Sequence, residues 1–350
     1  MVQTDAIRCA VIGYGTAFNQ GRHHAQQIAD TDGMRLTAVC DIDPACVAAG
    51  RQDFPGVAGF TDVDQLLSAA VADLAVVVLP HHLHAPVAEA CLTAGLDVVL
   101  EKPMALTVDE CTRLITLARE RQRMLTVYHN RRWDGDFLTL RQIIQEGTVG
   151  QVFQIEYFTG GYSHPGTSWR ANKEVSGGAF FDWGAHVVDW VLGLMEGRRM
   201  DAVTGFFHQL VWQEVSNEDQ VQAVIRFADG AVADIQQSYI ALADKARWRI
   251  LGTEGALVAV GEPGKNPQCR LRVLHGGHPA DIVVPYAETV RGTFYPRLYT
   301  HLTRGAPLDV TPESARRVIA VLEGAEQSSA SGRAVTIPFE DTVVFPHCRT

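Results

Sequence analysis

The stretch Ile7-Arg8-Cys9-Ala10-Val11-Ile12-Gly13-Tyr14-Gly15 decides the fold. Six mostly apolar residues closed by glycine have the length and composition of a buried strand. The Gly13-Tyr14-Gly15 that follows lets the backbone turn tightly and approach an anionic ligand at a helix N-terminus. The dinucleotide fingerprint wants a third glycine at position 18, which is Phe. Gly21 takes that role if the loop carries three inserted residues, Ala17-Phe18-Asn19 or their neighbours. A plain strand–helix turn is the competing reading. On the first reading Gly13, Tyr14, Gly15, Thr16, Ala17 and Phe18 are candidate cofactor contacts.

Outward from this point, short apolar runs recur at Leu36–Cys40, Leu74–Leu79, Val98–Leu100 and Met124–Tyr128, each bounded by Gly, Pro or charge. Helical patterns separate them, for example Pro86–Ala94 and Val108–Arg121. This alternation predicts βαβ units and a doubly wound parallel sheet over residues 1–128. Beyond about residue 129 the pattern changes. An amphipathic helix is expected from Asp134 to Glu146, followed by long alternating strands near 151–159, 202–211, 220–227, 232–239, 247–251, 256–260 and 270–274. Asp229-Gly230 joins two of them as a hairpin. Thr311-Pro312-Glu313 opens a last helix, stopped by Gly332. Residues 129–350 thus read as an α+β domain with a large, mostly antiparallel open sheet. Val224 with Ala233 or Ile235 is expected on its uncovered side, as an interface for a homodimer or homotetramer.

Composition narrows the function. The 350 residues are 47% hydrophobic and 20% charged, an ordinary globular balance. Lys and Arg number 30 against 40 Asp and Glu, and there is no basic stripe with interleaved aromatics, so nucleic acid is not the expected partner. No apolar run spans a membrane and no leader pattern is visible, so a cytoplasmic protein is expected. The seven cysteines lack a CxxC, which disfavours disulfides and structural zinc.

Asp41 closes the second strand, where a carboxylate can accept both ribose hydroxyls of NAD and repel the extra phosphate of NADP; a helix-capping aspartate before Pro44 is the alternative. NAD is therefore the expected cofactor. Glu101-Lys102-Pro103 ends the Val98–Leu100 strand, at the edge where open α/β sheets bind ligands. Lys102 there could hold a hydroxyl oxygen or transfer a proton, or be a surface lysine. In Gly177-Gly178-Ala179-Phe180-Phe181-Asp182-Trp183-Gly184-Ala185-His186, Asp182 and His186 are four apart and are expected on one helical face, a carboxylate orienting an imidazole for acid–base work. A surface pair or metal ligands are the alternatives. His81, His82 and His84 suggest zinc but follow a strand end, so lining the cofactor cleft or capping a helix is the preferred reading, and no metal is expected. Trp169 could stack on a sugar ring and Arg170 bind hydroxyls, or Trp169 could be core.

Taken together, Gly-x-Gly, His24-Ala25, Pro80 with His84-Ala85, Glu101-Lys102-Pro103, His129-Asn130-Arg131-Arg132-Trp133 and the Gly-Gly…Asp182…His186 run resemble the glucose–fructose oxidoreductase / inositol dehydrogenase / rhizopine catabolism (Gfo/Idh/MocA) family over nearly the whole chain. The resemblance implies an N-terminal Rossmann domain and a C-terminal α/β domain whose open sheet often builds a dimer. It puts Lys102, Asp182 and His186 at catalytic positions, Pro80, His84, Glu101 and Lys102 beside the cofactor, and Asn130, Arg132, Tyr162, Trp169 and Arg170 with the substrate, a cyclitol or sugar. The longer loop Thr16–Gln20 departs from the family. An NAD-retaining enzyme that cleaves or epimerises glycosides, and a nucleotide-binding regulator without chemistry, are the competing functions.

Overall fold

The computed structural model describes residues 6–15, 19–262 and 265–340; the proposed contacts Thr16, Ala17 and Phe18 lie outside them. The chain runs β1 (Ile7–Ile12), α1 (Gln20–Ala29), β2 (Met34–Cys40), α2 (Pro44–Asp53), β3 (Ala58–Phe60), α3 (Val63–Ser68), β4 (Leu74–Val77), α4 (His84–Thr93), β5 (Asp97–Leu100), α5 (Val108–Glu120) and β6 (Leu125–Val127). It continues with α6 (Gly135–Gln145), β7 (Val152–Gly160), α7 (Lys173–Ser176), α8 (Ala179–Asp182), α9 (Gly184–Leu194), β8 (Met200–His208), β9 (Gln220–Phe227) and β10 (Val232–Ser238). The last elements are β11 (Trp248–Gly252), β12 (Gly255–Glu262), β13 (Lys265–His275), β14 (His278–Val284), α10 (Phe294–Arg304), α11 (Pro312–Ser331) and β15 (Val335–Thr336).

In the first unit, β1 to β6 form a parallel sheet in the order β3-β2-β1-β4-β5-β6. Its strands read as continuous apolar runs because helices cover both faces; all four residues of β4 are buried. The helices start where side chains satisfy free backbone N–H groups. Asp43 accepts from Ala45 N with Pro44 in the first turn, and Thr107 with Glu110 makes a capping box on α5. Helix α5 then buries Val108, Cys111, Leu114, Ile115 and Ala118, the stripe its spacing predicts. Strand order reverses between β1 and β4, so the carboxyl ends of β1, β2, β4 and β5 surround the ligand-binding crevice of such sheets.

This unit is not continuous in sequence. It comprises the chain up to His129 together with Gly292–Arg316, a segment that the sequence pattern alone assigns to the second domain. The returning segment is fastened by buried contacts: Thr126 donates to Val310 O at 2.7 Å, and Phe294 and Tyr295 pack against Tyr128. Nothing in its amphipathic pattern says which core it will join.

The second unit (Asn130–Arg291 with the chain from Arg317 on) is built on a sheet of nine strands among the described residues, ordered β14-β13-β12-β11-β7-β10-β9-β8-β15. Only the β7–β10 pair is parallel. The β9–β10 hairpin turns at Asp229-Gly230 as expected, with Gly230 at φ 88°. One sheet face buries Ile155, Tyr157, Ala223, Ile225, Trp248 and Ile250. Ala233 and Ile235 belong to this face, not to the uncovered one. Register pairs Ala233 with Ile225 and Asp234 with Val224, so the opposite face carries Val224 among Glu156, Gln222, Asp234 and Arg249. No helix among the described residues is long and apolar enough to cross a membrane.

Candidate active site

The glycine loop is a cradle that no larger residue could form. Gly13 has φ +94°, and a Cβ there would sit 1.9 Å from the Val78 carbonyl oxygen. Gly21 lies in the first turn of α1, where a Cβ would sit 2.3 Å from the Gly13 oxygen and 2.7 Å from Tyr14 Cα. That close helix-to-loop approach is the task of the third glycine of the fingerprint, so the geometry supports the inserted-loop reading. Gly15 N donates to Asp41 Oδ2 at 2.7 Å, and Asp43 N donates to Oδ1 at 2.9 Å. Asp41 therefore stands at the end of β2, directly against the loop. These residues fit a dinucleotide: a glycine cradle at a helix start for its phosphates, a carboxylate for a ribose. The Tyr14 side chain turns to α2. Its hydroxyl donates to Asp53 at 2.6 Å, beside Arg22, and burial together with the Asp53 charge pushes its pKa up to about 12.

At the end of β5, Glu101 N donates to Val77 O, which turns the Glu101-Lys102-Pro103 corner away from the sheet. The Lys102–Pro103 peptide bond is cis. The Glu101 carboxylate lies 3.0 Å from His24 Nε2 and accepts the Lys102 backbone N–H at 3.0 Å. Burial alone would raise the Glu101 pKa, but His24 and the Lys102 charge outweigh it and hold the group below its ordinary value. His84 is fully buried, with Nδ1 2.7 Å from Pro103 O and Nε2 2.8 Å from Leu79 O. It thus ties the corner to the end of β4 and turns no ring nitrogen toward a ligand, contrary to its expected cofactor contact. Pro80 opens the short turn before it. The His81 and His84 rings are 5.7 Å apart while His82 is exposed, and no metal-competent cluster exists among the described residues.

In the second unit the expected single helix around Asp182 and His186 is two helices, α8 and α9, broken at Trp183. Gly178 at φ +111° starts α8 against buried Glu218, which accepts the Ala179 N–H at 3.0 Å. Asp182 is paired with Arg170 at 2.5 Å, and the Arg170 guanidinium lies 4.6 Å over the Trp169 ring. Trp169, Arg170 and Asp182 therefore form one half-buried chain. His186 is buried on α9 between the rings of Trp183 (5.6 Å) and Trp190 (6.4 Å).

Asn130 and Arg132 fall in a short turn, Asn130–Trp133. Arg132, a residue expected with the substrate, is clamped in two-pronged fashion by buried Asp189 at 2.8 and 2.5 Å, which ties its guanidinium to α9. Tyr162 is exposed, 5.8 Å from Trp212, whose ring also meets His164 at 5.1 Å. Trp212 was not singled out from sequence. Its loop is organised by buried Asp219, whose carboxylate accepts N–H groups of Leu210, Val211 and Trp212. Lys102 belongs to the first unit, Asp182 and His186 to the second.

Two family models match: "Oxidoreductase family, NAD-binding Rossmann fold" over residues 7–129 and "GFO/IDH/MocA C-terminal domain" over residues 137–258. The oxidoreductase YdgJ of Escherichia coli is 31% identical over 74% of this chain and 72% of its own. The scyllo-inositol 2-dehydrogenase (NADP+) IolW of Bacillus subtilis is 26% identical over 96% of this chain and 97% of its own. The solved structure of the oxidoreductase yvaA of B. subtilis superposes with a TM-score of 0.86 at 24% identity, over 96% of this chain and 99% of the other. With both halves of its architecture and the glycine, Glu-Lys-Pro and Gly-Gly…Asp…His segments in place, the chain belongs to the Gfo/Idh/MocA family of oxidoreductases.

Proposed function

We propose that this oxidoreductase uses NAD to oxidise a secondary hydroxyl of a cyclic polyol, sugar or sugar derivative in the cytoplasm. The observation that carries the reading is the Glu101-Lys102-Pro103 corner at the carboxyl end of β5, two strands from the glycine loop of β1 and fixed by the buried His84 and Glu101 contacts. A bound nicotinamide supplies a hydride acceptor. Gly13, Gly15, Gly21 and the start of α1 would hold its phosphates, and Asp41 its adenosine ribose. Asp41 also argues against NADP, whose 2′-phosphate would meet a carboxylate. The relative IolW is named for NADP+, so cofactor choice is a point on which this chain is proposed to differ.

Loss of a hydride from a secondary alcohol leaves a carbonyl, and one group must take the hydroxyl proton. His186 suits that task in its aromatic pocket, since a neutral imidazole nitrogen can accept the proton. Lys102 as an ammonium would hold the hydroxyl oxygen and stabilise charge developing on it, a kind of contact worth several kcal/mol in comparable sites. Asp182 and Arg170 would bind neighbouring hydroxyls as a pair, and Trp169 would offer an apolar face to the ring.

The test is NADH formation on a panel of inositols, aldoses and their derivatives. His186→Ala and Lys102→Ala should each lower turnover by about a hundredfold or more while NADH binding persists. Asp41→Ser should relieve discrimination against NADP. Near-normal turnover in either alanine variant would overturn the assignment. Substrate conversion without net NADH would move it to the redox-neutral, NAD-retaining chemistry.

A further inference from the structure

Three side chains beside the Lys102 backbone come from elements far apart in sequence. His24 lies on α1, Glu101 at the end of β5 and Tyr295 on α10 of the returning segment. His24 Nδ1 is 2.6 Å from the Tyr295 hydroxyl and Nε2 is 3.0 Å from Glu101 Oε1, while Glu101 accepts the Lys102 N–H. His24 and Tyr295 are wholly buried, and the Tyr128 ring covers His24 at 4.3 Å.

The hydrogen bonds fix where the protons sit. Among the described residues His24 is the one hydrogen-bond partner of the Tyr295 hydroxyl, so a buried O–H can be satisfied only by donating to Nδ1. Nε2 then carries the ring proton and donates to Glu101, leaving the imidazole neutral and the carboxylate with its full charge. Burial holds the Tyr295 phenol well above its ordinary pKa, so it stays a donor through neutral pH.

From this arrangement we infer that Tyr295 and His24 are positioning residues for Lys102: the tyrosine O–H keeps His24 uncharged, and uncharged His24 keeps Glu101 an undiminished counter-charge to the lysine ammonium. The inference rests on the reading of Lys102 as a reacting group. Its mechanism is electrostatic. Without the phenolic O–H, Nδ1 loses its donor and becomes the site for a proton. A cationic His24 would cancel the Glu101 charge, and the Lys102 ammonium would give up its proton more readily.

The test needs no substrate. Tyr295→Phe removes one oxygen and keeps the ring against Tyr128 and Phe294. Trace acetylation of the full chain with acetic anhydride at neutral pH, read by mass spectrometry and normalised to Lys245, reports how readily the Lys102 amine reacts. Tyr295→Phe should raise labelling of Lys102 about threefold or more, the effect of half a unit or more in its proton affinity. Nitrogen NMR of His24 should change from the neutral Nε2–H form to the doubly protonated ring. The double variant Tyr295→Phe with His24→Gln, which cannot take up a proton, should return labelling to the wild-type level. Unchanged labelling in Tyr295→Phe, or a rise that persists in the double variant, overturns the proposal. If instead no polyol yields NADH while the labelling pattern holds, the dehydrogenase reading fails and this one stands.

Discussion

Replacing Gly21 with alanine tests the architecture of the cofactor loop. In an exposed helix interior the change is favourable by up to about 1 kcal/mol, because alanine loses less backbone entropy. Here the new methyl would lie 2.3 Å from the Gly13 carbonyl oxygen and 2.7 Å from Tyr14 Cα. Both are backbone atoms, so no side chain can swing aside. Restoring ordinary contact requires α1 and the loop to part by roughly 1 Å, and overpacking of this kind costs about 1–3 kcal/mol. Set against the propensity gain, the net loss reaches about 2 kcal/mol, a fall of up to about 8 °C in melting temperature. The same displacement opens the cradle, and NADH affinity should fall by about tenfold, equivalent to about 1.4 kcal/mol. Gly292→Ala is the control, since a Cβ there meets nothing within 4 Å. Calorimetry and NADH fluorescence titration decide the matter. If Gly21→Ala melts no lower than wild type and binds NADH as tightly, Gly21 is not the packing glycine and the loop must hold its ligand differently.

Arg317 grips buried Glu340 at 2.7 and 2.8 Å, and Glu340 also accepts the Met200 N–H; Glu340→Ala should cost about 3–5 kcal/mol by urea denaturation because it takes the counter-charge from a buried guanidinium, and a loss below about 1 kcal/mol would show that water reaches it. The Glu101 pKa is lowered in the folded chain, so its stabilisation is complete above the ordinary value of 4.5 and is lost as pH falls through the lower folded value. The melting-temperature gap between wild type and Glu101→Gln should therefore shrink from neutral pH to below that point, and a gap that widens on acidification contradicts the assigned direction. For the open sheet face, we expect a homodimer or homotetramer by light scattering, reduced to smaller species by Val224→Glu. A wild-type monomer at micromolar concentration rules that interface out.

Strand β1 was readable to the residue, and β9 likewise, because burial on both faces or on one leaves a continuous or an alternating apolar run. Asp41 and Lys102 were readable too, since a charged residue ending an apolar strand has a fixed place in a doubly wound sheet. β3 was not seen: its three residues, Ala58-Gly59-Phe60, are too few to set a period. β14 was missed because five of its seven residues are exposed and its pattern is not apolar. At the site, the spacing of Asp182 and His186 gave a helical face, yet the chain breaks at Trp183. Sequence could not reveal that Arg170 takes Asp182, or that Asp189 takes Arg132, because such partners are chosen in three dimensions from several equivalent charges. Tyr295 carried no signal at all. It sits in an ordinary amphipathic stretch, and its role follows from which core that stretch joins.

That return of the chain has a consequence for how the protein is made. A ribosome delivers the first 129 residues as a contiguous sheet-and-helix set, but Val310 and Tyr295 have not yet been synthesised when it emerges. His24, Thr126 and Tyr128 must wait, partly uncovered, through the translation of residues 130–291. Only after residue 316 has left the exit tunnel can the nucleotide-binding half close. Each unit waits for a returning piece of chain, the first for residues 292–316 and the second for the chain from Arg317 on, and contacts so distant in sequence slow folding. A fragment ending at His129 should consequently expose Tyr128 and aggregate. Joining residues 292–316 to it through a flexible linker should restore solubility.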